Sequence, residues 1–269
     1  MTISSSVVKK TAKSALTNHW LEAMGVGIIF LFAVFVLYIS ASLLSVALPS
    51  VAVALIILGL MLFILLPLFL GVLRAFWLIM WEKDAAILSV FHYFSSRDSY
   101  IKALRLFSVL TSKAVFIGVL LLAPAFITDI LSSVKIYEQL GFSAPAWASN
   151  LWVVSIFLKA AAGVILALIM LKYYMAPFLI IADEQMDVHE AIHKSTLLSR
   201  ACATDFVSLI FSFLGWILLS VLAIPLIIIL PYFLVSYMVH SRFAVASYNK
   251  MVSSVNGVNE KNRFSAEGI

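Results

Sequence analysis

One uncharged stretch decides the fold. Residues 23–73 read AMGVGIIFLFAVFVLYISASLLSVALPSVAVALIILGLMLFILLPLFLGVL, with no Asp, Glu, Lys or Arg. A membrane-spanning helix needs about 20 apolar residues, because each residue adds about 1.5 Å. The stretch is therefore too long for one crossing and long enough for two. Since proline cannot continue a helix interior, Pro49 marks the break, and we predict spans over 23–47 and 51–81.

The rest of the chain contains further apolar stretches of similar length. They predict four more spans, at about 114–131, 150–182, 206–223 and 226–246. The last two come from a single uncharged region, 206–239, which Pro225 and Pro231 interrupt. Six spans is therefore the prediction. Five is the alternative, with the last region forming one kinked or re-entrant element.

The composition indicates the same class of protein. Of the 269 residues, 64% are apolar and 12% are charged, and the mean hydropathy is +1.10. Soluble domains are about half apolar and about a quarter charged, so a soluble core of this length could not bury so much apolar surface. A bilayer can accommodate it. The predicted fold class is an all-α polytopic membrane protein, and its single cysteine, Cys202, excludes an internal disulfide.

The distribution of Lys and Arg predicts the topology. The basic residues are concentrated in the N-terminal segment, in 82–113, in 183–205 and in the tail after 242, whereas the loops assigned to the outside contain only Lys135. The positive-inside rule then places both termini in the cytoplasm, and accounts for the net charge of +5 without a nucleic-acid partner. We predict one integral membrane domain over 1–248 and a disordered polar tail over 249–269.

Three polar segments have the apolar spacing of amphipathic helices that lie on the cytoplasmic membrane surface. They are about 7–21, 99–113 and 188–202. The third begins with Asp187 and Glu190, three residues apart, as in a capping box with Asp as the cap. Each segment precedes a pair of predicted spans. The sequence therefore predicts three units, each made of a surface helix and a two-span hairpin.

Two stretches of the sequence resemble a known family. They are KYYMAPFLIIADEQMDVHEAIHKS, 172–195, and SFLGWILLSVLAIPLIIILPYF, 212–233. Both are similar to the bacterial integral-membrane family called domain-of-unknown-function family 975. The matching positions are Ala191, Ser195, Ser212, Phe213, Gly215, Trp216, Pro231 and Tyr232.

The resemblance also shows two departures from the family pattern. The family often has a glycine after the surface helix, where this chain has Ser199-Arg200-Ala201, and a glycine-rich turn where this chain has Ala223-Ile224-Pro225. The resemblance implies a multi-span bacterial plasma-membrane protein. It implies no particular biochemical activity.

The sharpest chemical motif is His189-Glu190-Ala191-Ile192-His193, which has the H-E-x-x-H pattern. On a helix, His189 and His193 share a face and could bind one zinc ion, with Glu190 as the general base of a peptidase. A zinc site of this kind needs a third protein ligand, and the sequence after His193 contains no recognisable one. The favoured interpretation is one face of a surface helix, and the zinc peptidase is an alternative.

Cations within the predicted spans are the second chemical feature. Arg74 and Lys172 lie at similar depths in the second spans of their units, and Arg242 has a comparable position in the third. Charges at such depth usually face a cavity or a partner. We predict a cationic vestibule in the inner leaflet for an anionic lipid headgroup, with Tyr173 and Tyr174 supplying hydroxyls. The alternative is that the long basic side chains snorkel to the interface.

These features leave three hypotheses for function, and only the third, the alternative, would require a cofactor, which is zinc. The first is a non-catalytic membrane protein that binds or moves an anionic lipid-like molecule. The second is a structural or regulatory subunit that docks a protein partner through its cytoplasmic surface helices. The third is the zinc peptidase.

Overall fold

The computed structural model describes residues 3–81, 87–139, 141–143, 145, 147–219 and 224–266. Within these ranges the chain is helical, with no β-strand. Five of the described helices are long and apolar enough to cross a membrane. The all-α fold class is confirmed, whereas the predicted count of six spans is not. The end of the predicted span 206–223 and the last three tail residues lie outside the described residues.

The first hairpin follows the prediction closely. Helix α2 covers Trp20–Ala47, and the chain turns at Pro49, the residue that precedes the first turn of α3 (Ser50–Leu60). A single π-helical turn, Met61–Leu65, joins α3 to α4 (Leu66–Met80). The π turn has a local cause: Pro67 has no N–H for the carbonyl of Phe63, four residues earlier. The Tyr100 hydroxyl donates to that carbonyl instead, at 3.0 Å.

Burial divides this hairpin into two parts. No residue from 28 to 66 is buried. By contrast, nine residues of α4 between Pro67 and Ile79 are buried by protein. The exposed part of α2, residues 28–47, is about 30 Å long, which is the thickness of the hydrocarbon layer. The hairpin therefore has an apolar exposed end suited to lipid and a base that protein encloses.

The base belongs to a compact unit formed by residues 1–107 and 174–269. Its central helix is α12 (Ile224–Ala266), in which every residue from 234 to 241 is buried. Helix α1 (Ser5–Leu16) packs on α12 through Val8, Ala12 and Leu16, which are spaced four apart and fully buried. The first predicted surface helix, 7–21, corresponds to α1, which ends at Leu16 and has one face packed on protein, and to the first two residues of α2.

Helices α9 (Ala176–Ala182) and α10 (Val188–Phe211) complete this unit. The N-cap predicted at Asp187 is confirmed, since its carboxylate accepts from the N–H of His189 at 3.0 Å. Glu190 pairs with Lys194 at 2.7 Å. The third predicted surface helix, 188–202, is the first part of α10, which continues for nine more residues.

The predicted fifth span, 206–223, is not one continuous helix, because α10 ends at Phe211 and a separate short helix, α11 (Leu214–Leu219), follows. At the break the Lys9 ammonium donates to the Ser212 carbonyl at 2.6 Å. In a continuous helix that carbonyl would accept from the N–H of Trp216. The tail, predicted to be disordered, has a helical backbone as far as Ala266, and no proline interrupts it after Pro231.

A second compact unit comprises residues 108–173. It contains most of α6 (Arg97–Ser132), then α7 (Val134–Gln139) and α8 (Leu151–Met170). Asp129 accepts hydrogen bonds from Ser155 and from Lys159, the latter at 2.6 Å. The predicted surface helix 99–113 is not a separate element, because α6 is continuous. Residues 97–117 contain neither glycine nor proline to end it.

Candidate functional site

The polar centre of the first unit is built around Arg74. This residue lies on the enclosed part of α4, between the buried Leu73 and Ala75, and its side chain is 18% exposed. Its guanidinium forms an ion pair with the Glu184 carboxylate, which comes from the loop before α10. The Lys102 ammonium, on α6, donates to the Glu184 backbone carbonyl at 2.6 Å. Glu184 thus joins α4 to α6.

The electrostatics of this cluster stabilise the ion pair. The hydrogen bond from Arg74 lowers the pKa of the Glu184 carboxyl below its usual range. Beside the pair, burial and the Arg74 charge lower the pKa of His92. Burial raises the pKa of the neighbouring Tyr93 hydroxyl to about 12. Neutral His92 and Tyr93 therefore border a partly enclosed charge pair, and the Arg74 charge is balanced within the protein.

The other residues predicted for the vestibule have different surroundings. Arg242 stacks its guanidinium on the Trp81 ring, with its Cζ atom 4.3 Å from the ring centroid. Tyr174 stacks on Phe206 at 4.2 Å and lies beside the buried His240. In the second unit, the Lys113 ammonium covers the Tyr173 ring at 4.6 Å. Lys172 lies at the exposed 3₁₀ turn that follows α8.

Four of the residues predicted for the vestibule have an identified contact, and in each case the contacting residue was not predicted to belong to the vestibule. Arg74 contacts an acid, Arg242 and Tyr174 contact aromatic rings, and Tyr173 contacts a lysine. The Arg74 charge that the predicted vestibule would offer to an anionic headgroup is therefore paired with Glu184.

A short segment folds back against α4 at Gly71. It consists of a 3₁₀ turn, Leu88–Phe91, and a one-turn helix, α5 (His92–Ser95). The fit is so close that a Cβ atom on Gly71 would lie 1.8 Å from the Val90 carbonyl oxygen. Val90 is fully buried and Tyr93 is 3% exposed. Gly71 is required here because any side chain would push this backbone away.

The same segment forms one wall of an apolar groove of about 500 Å³. Helix α2 forms the opposite wall, and the π turn with the start of α4 forms the floor. The lining residues are Ile29, Phe32, Ala33, Val36, Leu37, Ser40, Leu60, Ile64, Leu65, Leu68, Phe91 and Phe94. The hydroxyl of Ser40, the only polar side chain in this lining, donates to the Val36 carbonyl of its own helix. The groove therefore presents hydrocarbon throughout.

The H-E-x-x-H motif lies on the exposed face of α10, where His189, Glu190 and His193 are all exposed. Glu190 is held by Lys194. Among the described residues, no group of three His, Cys, Asp or Glu side chains could hold a metal ion. In this part of the chain, the motif therefore has no third ligand near it.

Sequence reasoning missed the residues that build the groove and its wall. Gly71 carries the one usable signal, since an isolated glycine inside a helical pattern costs stability relative to alanine and can have a packing reason. Glu184 gave no signal, because its partner is 110 positions away in the chain. The sequence did not predict a site at the groove lining, since its apolar residues are typical of any membrane-facing helix surface.

The fold and these sites define an α-helical protein with several helices suited to crossing a membrane. A family model described as "Protein of unknown function (DUF975)" matches residues 1–244, so the chain belongs to this family. The resemblance noted from residues 172–195 and 212–233 is thereby confirmed. No curated protein and no solved structure is similar enough to this chain to match it.

Proposed function

We propose that this protein binds one hydrocarbon chain of a membrane amphiphile in the groove between α2, the start of α4 and the segment 88–95. The observation that carries the proposal is the groove itself: it is apolar throughout and lies on the hairpin whose outer surface is exposed and apolar. Water does not fill apolar spaces of this kind, so hydrocarbon is the occupant that restores van der Waals contact to the walls.

The length of the groove indicates which part of a lipid it accepts. Along α2 the lining runs from Ile29 to Ser40, which is about 17 Å. This is close to half of the hydrocarbon layer of about 30 Å, so the groove matches a chain from one leaflet. Phe91 follows Val90, which packs against Gly71 in the enclosed base, so the Phe91 part of the groove lies next to the base. With the base on the cytoplasmic side, as the basic segments predict, the chain comes from the inner leaflet.

The Arg74 cluster supports the groove from the other side of the wall. Phe91 and Phe94 line the groove, whereas His92 and Tyr93 lie beside Arg74 and Glu184. The ion pair therefore positions the wall, and its charge is not needed for binding a headgroup. This revises the proposed lipid site from a cationic vestibule to an apolar groove.

Filling the groove tests the proposal. Ala33→Phe places a ring in the groove, and we expect co-purified lipid in a native mass spectrum, recorded in mild detergent, to fall by about tenfold. That change corresponds to about 1.4 kcal/mol of lost contacts. Val34→Phe is the matched control, because Val34 neighbours Ala33 on α2 but lies outside the lining. Equal lipid retention by the two variants would contradict the proposal.

A binding role without catalysis is part of this proposal, and a zinc titration tests the peptidase alternative. We expect purified protein to take up no stoichiometric zinc, because the exposed pair His189 and His193 lacks a third ligand among the described residues. One tightly bound zinc per chain, lost in both His189→Ala and His193→Ala, would instead support the peptidase.

A further inference from the structure

The uncharged region 206–239 contains a short hairpin formed by the end of α10, α11 and the start of α12. Its exposed surface is apolar, with Phe211, Leu214, Trp216, Leu218 and Leu219 all at least two-fifths exposed. We propose that this tip inserts into one leaflet and turns back, so that residues 206–246 do not cross the membrane. The partner that the tip fits is the hydrocarbon of a single leaflet.

Two contacts fix the position of α12 along the first hairpin. Near its start, Pro231 and the carbonyl of Ile227 lie within 4.0 Å of a Cβ on Gly27. Further along, Arg242 covers Trp81, which directly follows α4. Helix α12 therefore runs alongside α4 in the same direction, from the level of Gly27 to the end of the enclosed base.

The level of Gly27 limits how far α12 extends into the bilayer. From Gly27 to Ala47, α2 continues for 20 residues, or about 30 Å. Beyond Ile227, α12 has only three residues before its start at Ile224, or about 5 Å. Its first residue is therefore about 25 Å short of the far end of α2. The end of α11, Leu219, and the start of α12, Ile224, are only five positions apart in the sequence, which is too short a connection to reach this distance and return.

Burial gives independent support. Of the 18 residues that form the most apolar part of the membrane-length stretch of α12, 56% are buried, against 11–17% in the other four such helices. Its buried residues include Ser236, His240 and Ser241. A helix that faces lipid has an exposed apolar side, whereas residues 234–241 have none. This part of α12 is thus a core helix, although the helix is long and apolar enough to cross a membrane.

A polar belt marks the level at which the tip leaves the headgroup region. The Lys9 ammonium donates to the Ser212 carbonyl and lies 4.3 Å from the centroid of the Phe213 ring. The Tyr232 hydroxyl donates to the Lys9 carbonyl at 3.3 Å. Beyond Phe213, α11 rises by about 9 Å, which is the depth of interfacial insertion and well short of a crossing.

Single cysteines at three exposed positions test the insertion, in a Cys202→Ala background. Ser6 lies on α1, Ser50 lies at the turn of the first hairpin, and Leu218 lies on α11. The readout is reaction with a membrane-impermeant maleimide in sealed cells and in inverted vesicles. We expect Ser6→Cys and Ser50→Cys to react from opposite faces, and Leu218→Cys to react from neither until detergent is added. Reaction of Leu218→Cys from the face of Ser50→Cys would show a complete crossing and overturn the proposal.

A depth measurement separates insertion from a variant that is merely unreactive. We would attach a fluorophore at Leu218→Cys and quench it with lipids brominated at shallow or deep positions. Leu58→Cys, about 12 Å along α3 from Ser50, is the deep control. We expect stronger shallow than deep quenching at Leu218 and the reverse at Leu58. Deep quenching at Leu218 equal to that at Leu58, or no quenching at all, would overturn the proposal.

Discussion

Gly71→Ala is expected to lower the apparent melting temperature of the purified protein by about 6–12 °C and to reduce lipid retention in the groove. The new Cβ would lie 1.8 Å from the Val90 oxygen and 2.7 Å from its carbonyl carbon. Both are backbone atoms, which cannot rotate away as the end of a side chain can. The segment 88–95 must therefore move off α4, and Val90 and Tyr93 lose their burial.

The size of this effect follows from two costs. Overpacking at a well-packed contact costs about 1–3 kcal/mol. Exposing a fully buried Val adds about 1.5–3 kcal/mol. A loss of about 3 kcal/mol corresponds to the expected shift in a chain of this size, at about 2–4 °C per kcal/mol.

Gly59→Ala is the matched control for this experiment. Gly59 lies in α3, on the same hairpin, and a Cβ there meets nothing within 4 Å. Alanine favours the helix by about 0.5–1 kcal/mol over glycine, so this variant should be slightly more stable than the parent. If Gly71→Ala had the same melting temperature as Gly59→Ala and retained as much lipid, the segment 88–95 would not be packed closely against α4.

The same hairpin shows what could be predicted from sequence. Apolar residues over the required length predict α2 and the helix after Pro49, because a bilayer imposes one length on every crossing. The N-cap at Asp187 was predicted for a similar reason: a cap needs only residues that are close in sequence. Features set by local chemistry or by the solvent can therefore be read from the chain.

The pairing of distant elements could not be read in this way. Nothing in the sequence near Glu184 indicates that its partner is Arg74, and nothing near Gly71 indicates that Val90 covers it. Apolarity also cannot distinguish a helix that contacts lipid from one that protein surrounds. The predicted span 226–246 rests on apolarity alone, and the burial of residues 234–241 is the observation from which we infer that this part of the helix is core.

The ion pair between Arg74 and Glu184 is expected to contribute about 1 kcal/mol to stability, which Glu184→Gln would remove. Glutamine keeps the shape of the side chain but leaves the partly enclosed guanidinium without its counter-charge. Hydrogen bonds between charged groups contribute about 1.5–3 kcal/mol, and solvent at the 56% exposed Glu184 side chain reduces this figure. Glu190→Gln is the matched control: its pair with Lys194 is exposed on α10, so we expect a loss of about 0.3–0.5 kcal/mol.

The pH dependence of stability identifies the Glu184 charge as the cause. The pKa of Glu184 is lowered in the folded protein, so its contribution is complete above the usual glutamate range and is lost as the pH falls through the folded value. The pKa of His92 is also lowered, and its neutral form favours the docked segment. The His92 contribution to stability therefore declines as the pH falls below the usual histidine range, which is at a higher pH than the loss due to Glu184. A His92→Gln background therefore isolates Glu184. In that background we expect the parent Glu184 protein to lose stability in acid relative to Glu184→Gln. If both variants lost stability equally with falling pH, the ion pair would not stabilise the wall of the groove.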